Sequence, residues 1–500
     1  MKSLNKKIIT VFILCSITAF IITSCSKSFI DLTDPTKIVT SAYYNDSASM
    51  ATAVVAAYSS LQDVYGKSSG SRGIFPYGEI VSDNSYALVD GASLGDFEYF
   101  TITSGNTVLQ SSWTYMYRGI ARCNIVLSRM SNVPVSDATK SRWGSEVKFI
   151  RALMYFNMVR IWGAVPLVTK EIQQVSDAYQ YGRTPVDSVY AQIEKDLTDA
   201  EADANIPVTY SATTNLGRVT KPAVKGLLAK VYLTEQKYTD AANKLKEFIT
   251  TYDGAPCTLL STYSNIFLTT NEMNSEIIFA VRYSKGNTPT TGSPFSNYFA
   301  VNSATAGGVG TGYQYNSMRK DLIDTLTANG AADTRVAASY VQSGTSNIFY
   351  VTKKYTDVPA ADLDADCDWI VLRYADVLLM YAEALNEQSA SNVATAIPYV
   401  NRVRTRAGLA ALNAASYNQA TLRLAIEKER RIELNMEGHR WFDLVRTGRA
   451  IDVMNNHFTK YAIRLTSTSP IVQIDSHNLL FPVPISEINT NPILTQNPGY

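Results

Sequence analysis

Apolar side chains recur at helical spacing along most of this chain, and that periodicity limits its fold more than any other feature. From Glu146 to Trp162, Val147, Ile150, Met154, Met158 and Ile161 form one stripe, as in a helix with one buried face. Gly163 suits the position after the last turn, and Pro166 prevents continuation. Comparable stripes predict helices over Ala48–Tyr65, Trp113–Met130 and Ser188–Ala204. Thr220 and Pro222 open another that runs to Gln236, because the missing proline N–H costs nothing in a first turn. Asp240–Thr250 follows a turn at Lys237-Tyr238. Helical patterns return over Trp369–Glu387, over Ala394–Ala407 before Gly408, and over Gln419–Glu437 before Gly438. The expected fold is mainly α, with little β.

Neighbouring antiparallel helices with alanine at their crossings resemble tetratricopeptide-type pairs, without a strict ~34-residue period. Two stretches break the pattern. Gly66 to Asn106 and Thr251 to Tyr315 are rich in Gly, Ser, Thr, Asn and Tyr, with one strand-like run at Glu276–Tyr283. Loops that long in a compact chain are functional or disordered. Gly307 to Gly312 reads G-G-x-G-x-G, but no strand-turn-helix surrounds it, so it reads as a flexible loop rather than a nucleotide site. The organisation expected is a helical part over 41–250 and a loop-bearing part over 251–500, packed as one body.

The N-terminus carries a processing signal. Lys2, Lys6 and Lys7 precede an apolar run from Ile8 to Ile22, too short for the ~20 residues that span a bilayer. Ile22-Thr23-Ser24-Cys25 looks like a bacterial lipobox, which would remove residues 1–24, lipidate Cys25 and leave 25–40 as a tether to the membrane. Residues 1–24 hold three lysines and no acid, so their removal turns a net charge of +1 into about −2. That balance excludes a nucleic-acid partner, since no basic excess exists to neutralise phosphates. Cys123, Cys257 and Cys367 remain, too few and too scattered for a disulfide framework or a metal site. Whether Cys257 and Cys367 pair is left open, as is a structural calcium.

The densest charge lies between Glu427 and Arg446. Glu427 and Arg431 are four apart, a favourable helical pair; Arg430 and Glu433 are three apart. Glu433 and Glu437 repel at four apart unless arginines intervene, and Arg440, Asp443 and Arg446 can fold back to supply the missing partners. Two such carboxylates could serve as acid and base, as in a glycosidase. Every acid here has an arginine in reach, however, which lowers a pKa rather than raising it. The expectation is therefore a structural ion network and no catalytic residue. Neither a metal-ligand histidine spacing, a nucleophile elbow nor a phosphate loop is present, so no cofactor is expected.

Several segments in order resemble the SusD/RagB family. Trp113-Thr-Tyr-Met-Tyr-Arg-Gly-Ile-Ala-Arg-Cys-Asn124 is similar to its W-x-x-x-Y-x-x-I-x-x-x-N helix. Glu146-Val-Lys-Phe-Ile-Arg-Ala152, followed by Gly163-Ala-Val-Pro-Leu167, resembles its E-x-x-F-x-R-A … G-x-V-P-L element. Gly217 to Tyr232, Leu372-Arg-Tyr-Ala-Asp-Val-Leu-Leu-Met-Tyr-Ala-Glu-Ala-Leu-Asn386, Glu427 to Arg446 and the Asn497-Pro-Gly-Tyr500 ending extend the likeness over nearly the whole mature chain. The resemblance implies four tetratricopeptide-like helix pairs and an outer-membrane lipoprotein that faces the cell exterior. It implies a glycan, or in some members a peptide, as ligand, and a SusC-like TonB-dependent β-barrel as partner.

The resemblance also implies that the two loop regions form the ligand site. Sugars bind aromatic faces with a few polar groups at their edges. The five tryptophans fall in helical motifs and are expected in the core. The candidates are then Tyr77, Asn84, Tyr86, Phe97 and Tyr99 in the first loop region, and Tyr283, Tyr298, Tyr313 and Tyr315 in the second. A secreted α-helical glycoside hydrolase or lyase, and a scaffold that binds only protein, are the competing readings. A periplasmic solute-binding protein is disfavoured because strands and helices do not alternate.

Overall fold

The computed structural model describes residues 44–67, 72–87 and 93–500. The signal segment, Cys25 and the tether lie outside the described residues. Helices dominate the rest. The first six long ones are α1 (Ser47–Tyr65), α2 (Thr107–Arg129), α3 (Asp137–Trp162), α4 (Val186–Ala202), α5 (Lys221–Thr234) and α6 (Tyr238–Tyr252). A short α7 (Lys320–Thr327) follows, then α8 (Tyr374–Gln388), α9 (Val393–Arg406), α10 (Gln419–Glu433), α11 (Arg440–Arg446) and α12 (Ala450–Lys460). They pack as four consecutive pairs, α1 on α2, α3 on α4, α5 on α6 and α8 on α9.

Local chemistry sets the ends. Asp46 caps α1 by accepting the Ser49 N–H at 2.8 Å, and Ser136 and Thr220 cap α3 and α5 in the same way. The α3 stripe extends nine residues N-terminal to the apolar pattern, because Ser136 caps a polar first half that only Trp143 and Ser145 anchor in the interior. One continuous cluster of buried apolar side chains runs from Met50 in α1 to Val483 near the C-terminus. All five tryptophans lie in it or at its edge, each less than a tenth exposed. Among the described residues, no helix is long and apolar enough to cross a membrane.

Two helix expectations need correction. Trp369–Arg373, read as the start of a helix, is a strand. It pairs antiparallel with Ile277–Val281, the run read as strand-like, and α8 begins only at Tyr374. Trp-Ile-Val-Leu is bulky and mostly β-branched or aromatic, and its buried residues suit both periods, so the helical motif that follows pulled the boundary forward. Likewise α10 stops at Glu433, not Glu437. Met436 and Gly438 both take left-handed backbone conformations, φ +63° and +83°, which turn the chain out of the helix. Cysteines 123, 257 and 367 are buried free thiols, so Cys257 and Cys367 do not pair.

Two other antiparallel ladders matter for function. Ser85–Tyr86 pairs with Ser317–Met318, and Tyr340–Ser343 with Phe349–Thr352. The first ties one loop region to the other.

Candidate functional site

The acidic and basic residues of the Glu427–Arg446 cluster form the interior joint of the C-terminal half. Glu433 is fully buried among three arginines. Arg373 Nη1 reaches its Oε1 at 2.6 Å, Arg335 Nη1 reaches its Oε2 at 3.0 Å, and Arg406 pairs with it as well. Glu437 takes Arg373 at 2.8 Å and Lys354 at 2.6 Å. Arg430 pairs with Asp376 and Asp443, Arg446 with Asp443 and Glu383, and Arg440 with Asp83 and Glu427. The predicted Glu427–Arg431 pair does not form. Glu427 turns to Arg440 and Arg449, while Arg431 reaches across to Asp83 and Asp321.

Much of this network comes from residues outside the cluster, among them Glu276, Arg335, Lys354, Arg373, Asp376 and Arg406. The cations also close α10. Arg373 Nη2 donates to the Glu433 carbonyl at 2.6 Å, and Lys354 Nζ donates to the Asn435 carbonyl at 2.7 Å. Positive charge at a helix C-terminus is favourable, and it satisfies carbonyls that the helix leaves open.

This environment is unlike that of an acid–base carboxylate pair. Burial alone would raise the Glu433 carboxyl, but Arg406, Arg373 and Arg335 hold it well below the usual carboxylate range. Asp443 is held down in the same way by Arg430 and Arg446. A general acid needs the opposite shift and access to substrate. Glu79 does have a raised carboxyl, pushed to about 7 by burial, but it is fully enclosed, bonded to Asn84 and to the Gly438 N–H.

His439 precedes α11 and is kept neutral, pushed down to about 3 by burial and by Lys230, whose Nζ lies 3.1 Å from its Nδ1. A histidine whose folded pKa lies below its unfolded value gives full stability above pH ~6.5 and loses it as the pH falls toward the folded value. Relative to a His439→Gln variant, the protein is expected to lose roughly 1.4 kcal/mol per pH unit between pH ~6.5 and ~3. Urea unfolding of both across that range measures it; a pH-independent difference would contradict it.

The loop candidates separate into three groups. Tyr77, Phe97 and Tyr283 are core residues. Tyr77 packs edge-on against Phe97 and Phe481, each 5.2 Å away, and Tyr283 donates to the Gln62 carbonyl at 3.2 Å. Asn84 is buried too, donating to Glu79 and accepting from Arg431 at 2.9 Å each. Tyr86 and Tyr99 are half-buried near Arg319, which lies over the Tyr86 ring and pairs with Glu98.

The third group, Tyr298, Tyr313 and Tyr315, forms a compact aromatic platform. Tyr298 meets Tyr315 at 5.2 Å and Tyr313 at 5.9 Å, and Tyr313 meets Tyr315 at 5.4 Å. Tyr298 and Tyr315 are buried, whereas Tyr313 is partly exposed.

The backbone around the platform is pinned. The Tyr313 N–H donates to the Asn297 carbonyl, and the Tyr315 N–H to that of Tyr298. The buried Asn297 amide donates to the carbonyls of Val309 and Thr311, each at 3.0 Å, so it holds the Gly307–Gly312 loop in place. Gly310 permits this closeness. At φ +72° a Cβ there would stand 2.2 Å from Asp362 Oδ1. Asp362 completes the rim, taking the Tyr313 hydroxyl at 2.6 Å and the Thr311 N–H at 3.0 Å.

Across the platform lies Arg72, from the first loop region. Its guanidinium carbon is 4.8 Å from the Tyr315 ring centroid and 5.4 Å from that of Tyr298. The two loop regions therefore meet here. Arg72, Asn297 and Asp362 were not legible as site residues, because one arginine, one asparagine and one aspartate in loops carry no spacing signal.

Comparison with known proteins agrees with this architecture. A model of the SusD family matches residues 335–500, and one described as "Starch-binding associating with outer membrane" matches residues 28–233. The chain belongs to the SusD-like family. "SusD-like protein P25" from Formosa agariphila is 28% identical over 532 residues, covering 96% of this chain and 98% of that one. "Starch-binding protein SusD" from Bacteroides thetaiotaomicron is 23% identical over 463 residues, covering 78% and 79%. Among solved structures, a "Laminarin binding SusD-like protein" superposes with a TM-score of 0.76 at 27% identity, covering 91% of this chain and all of that one. Two of these relatives carry glycan-binding names, and the family description places its members at the outer membrane.

Proposed function

We propose that the mature chain is a lipoprotein, anchored through Cys25 on the outer face of the outer membrane, that captures an oligo- or polysaccharide. It then passes that glycan to a SusC-like TonB-dependent β-barrel. The observation that carries the reading is the partly exposed Tyr313 ring on a platform pinned by backbone and side-chain hydrogen bonds where the two loop regions meet. A sugar ring can stack on that face while the Arg72 guanidinium donates to its oxygens. The names of the relatives, starch-binding and laminarin-binding, support a carbohydrate rather than another ligand class. The arginine-clamped carboxylates of the C-terminal joint support binding without turnover.

Titration of laminarin-derived and starch-derived oligosaccharides, with a wider polysaccharide panel, into the purified mature chain tests this. Saturable binding with no change in the sugar, and co-purification with a β-barrel from outer membranes, are expected. Release of cleaved product, abolished by Glu433→Gln, would overturn it.

A further inference from the structure

We infer that the ligand, on the glycan-binding reading above, carries an anionic group on a sugar ring, a uronate carboxylate or a sulfate ester, and that Arg72 reads that charge. Arg72 is unlike the other buried and half-buried arginines of the C-terminal joint, all of which meet carboxylates. Among the described residues no carboxylate pairs with it. One of its donors, Nη1, is used by the Tyr298 hydroxyl at 3.1 Å, while Nε is enclosed and has no acceptor at all. An enclosed donor with no partner costs about 1–3 kcal/mol, so the fold holds this guanidinium in place at a cost.

The backbone bears a cost as well. Arg72 sits at φ +58° and Gln314, beside Tyr313, at φ +59°, a conformation that side chains other than glycine rarely adopt. Both strained positions border the platform. The acid at its rim is different, because Asp362 spends both oxygens on Thr311 and Tyr313. The fold thus satisfies the negative charge internally and leaves the positive one for an incoming group. The guanidinium lies over the Tyr315 and Tyr298 rings. That planar fork matches carboxylate and sulfate oxygens.

Calorimetric titration distinguishes the outcomes. An oligogalacturonide, a sulfated oligosaccharide and a neutral laminarin oligosaccharide of equal length are titrated into the mature chain, Arg72→Gln and Arg72→Lys. At least one anionic sugar is expected to bind tenfold or more tightly than the neutral one. The uronate and sulfate arms tell which group is read. Arg72→Gln should bring the ratio of anionic to neutral affinity down to about one. Arg72→Lys, which keeps the charge without the fork, should retain part of it. Urea unfolding of each variant confirms that the fold is intact. Equal or tighter binding of the neutral sugar, or an anionic preference that survives in Arg72→Gln, overturns the charge assignment while leaving glycan binding in place. Absence of binding by all three sugars overturns both.

Discussion

Arg373→Ala is expected to destabilise the protein by about 3–5 kcal/mol, the largest effect of any single substitution considered. Arg373 is 1% exposed and reaches Glu276, Glu433 and Glu437, besides the Glu433 carbonyl. Its removal leaves three buried carboxylates short of positive charge, and the last turn of α10 loses a donor. Arg406, Arg335 and Lys354 remain, but each already serves its own share of these acids. Much of the cost is that of carboxylates left buried without compensation, so it should fall when the acids are also neutralised. The triple variant Arg373→Met, Glu433→Gln, Glu437→Gln should recover part of the lost stability. Urea unfolding followed by circular dichroism measures both. A loss under about 1 kcal/mol for Arg373→Ala would mean that the joint is not the brace described.

The second large effect concerns affinity rather than stability. Tyr313→Ala is expected to weaken glycan binding at least tenfold, roughly 1.4 kcal/mol, because an aromatic face at the centre of a site carries a disproportionate share of the energy. Tyr313→Phe should retain most of the affinity, since the ring stays and only the bond to Asp362 is lost. Calorimetry on the two variants separates ring from hydroxyl. If Tyr313→Ala binds like the parent while unfolding normally, the platform is not the site.

The helices were readable in the sequence because their burial is periodic. Val147, Ile150, Met154, Met158 and Ile161 announce α3 whatever packs against it. The joint was readable in part, since Glu427 to Arg446 advertises its own charges. The rest is scattered over segments far apart in the sequence, among them Glu276, Arg335, Lys354, Arg373 and Arg406, which come together only in the folded chain. The helix-to-strand correction at Trp369–Arg373 has the same origin: bulky residues, buried but for the half-buried Val371, fit either period until a partner strand is known.

The platform was the least readable. Eight loop aromatics and Asn84 look alike as letters. Only tertiary folding sends Tyr77 and Phe97 inward to Phe481 and leaves Tyr313 partly exposed on the platform that Arg72 covers. Loops that carry binding residues are selected for what they present, not for a repeating pattern.

The position of a bound sugar tests the central claim most directly. A crystal structure of the mature chain with its oligosaccharide is predicted to place a sugar ring against Tyr313, within reach of Arg72 and Asp362. Two other hollows could hold it instead. One, of about 440 Å³, is lined by Glu383, Glu427, Arg430, Asp443 and Arg446; the other, of about 350 Å³, by Trp113, Tyr117 and Tyr179. A sugar found in either, with the Tyr313 face bare, would contradict the account.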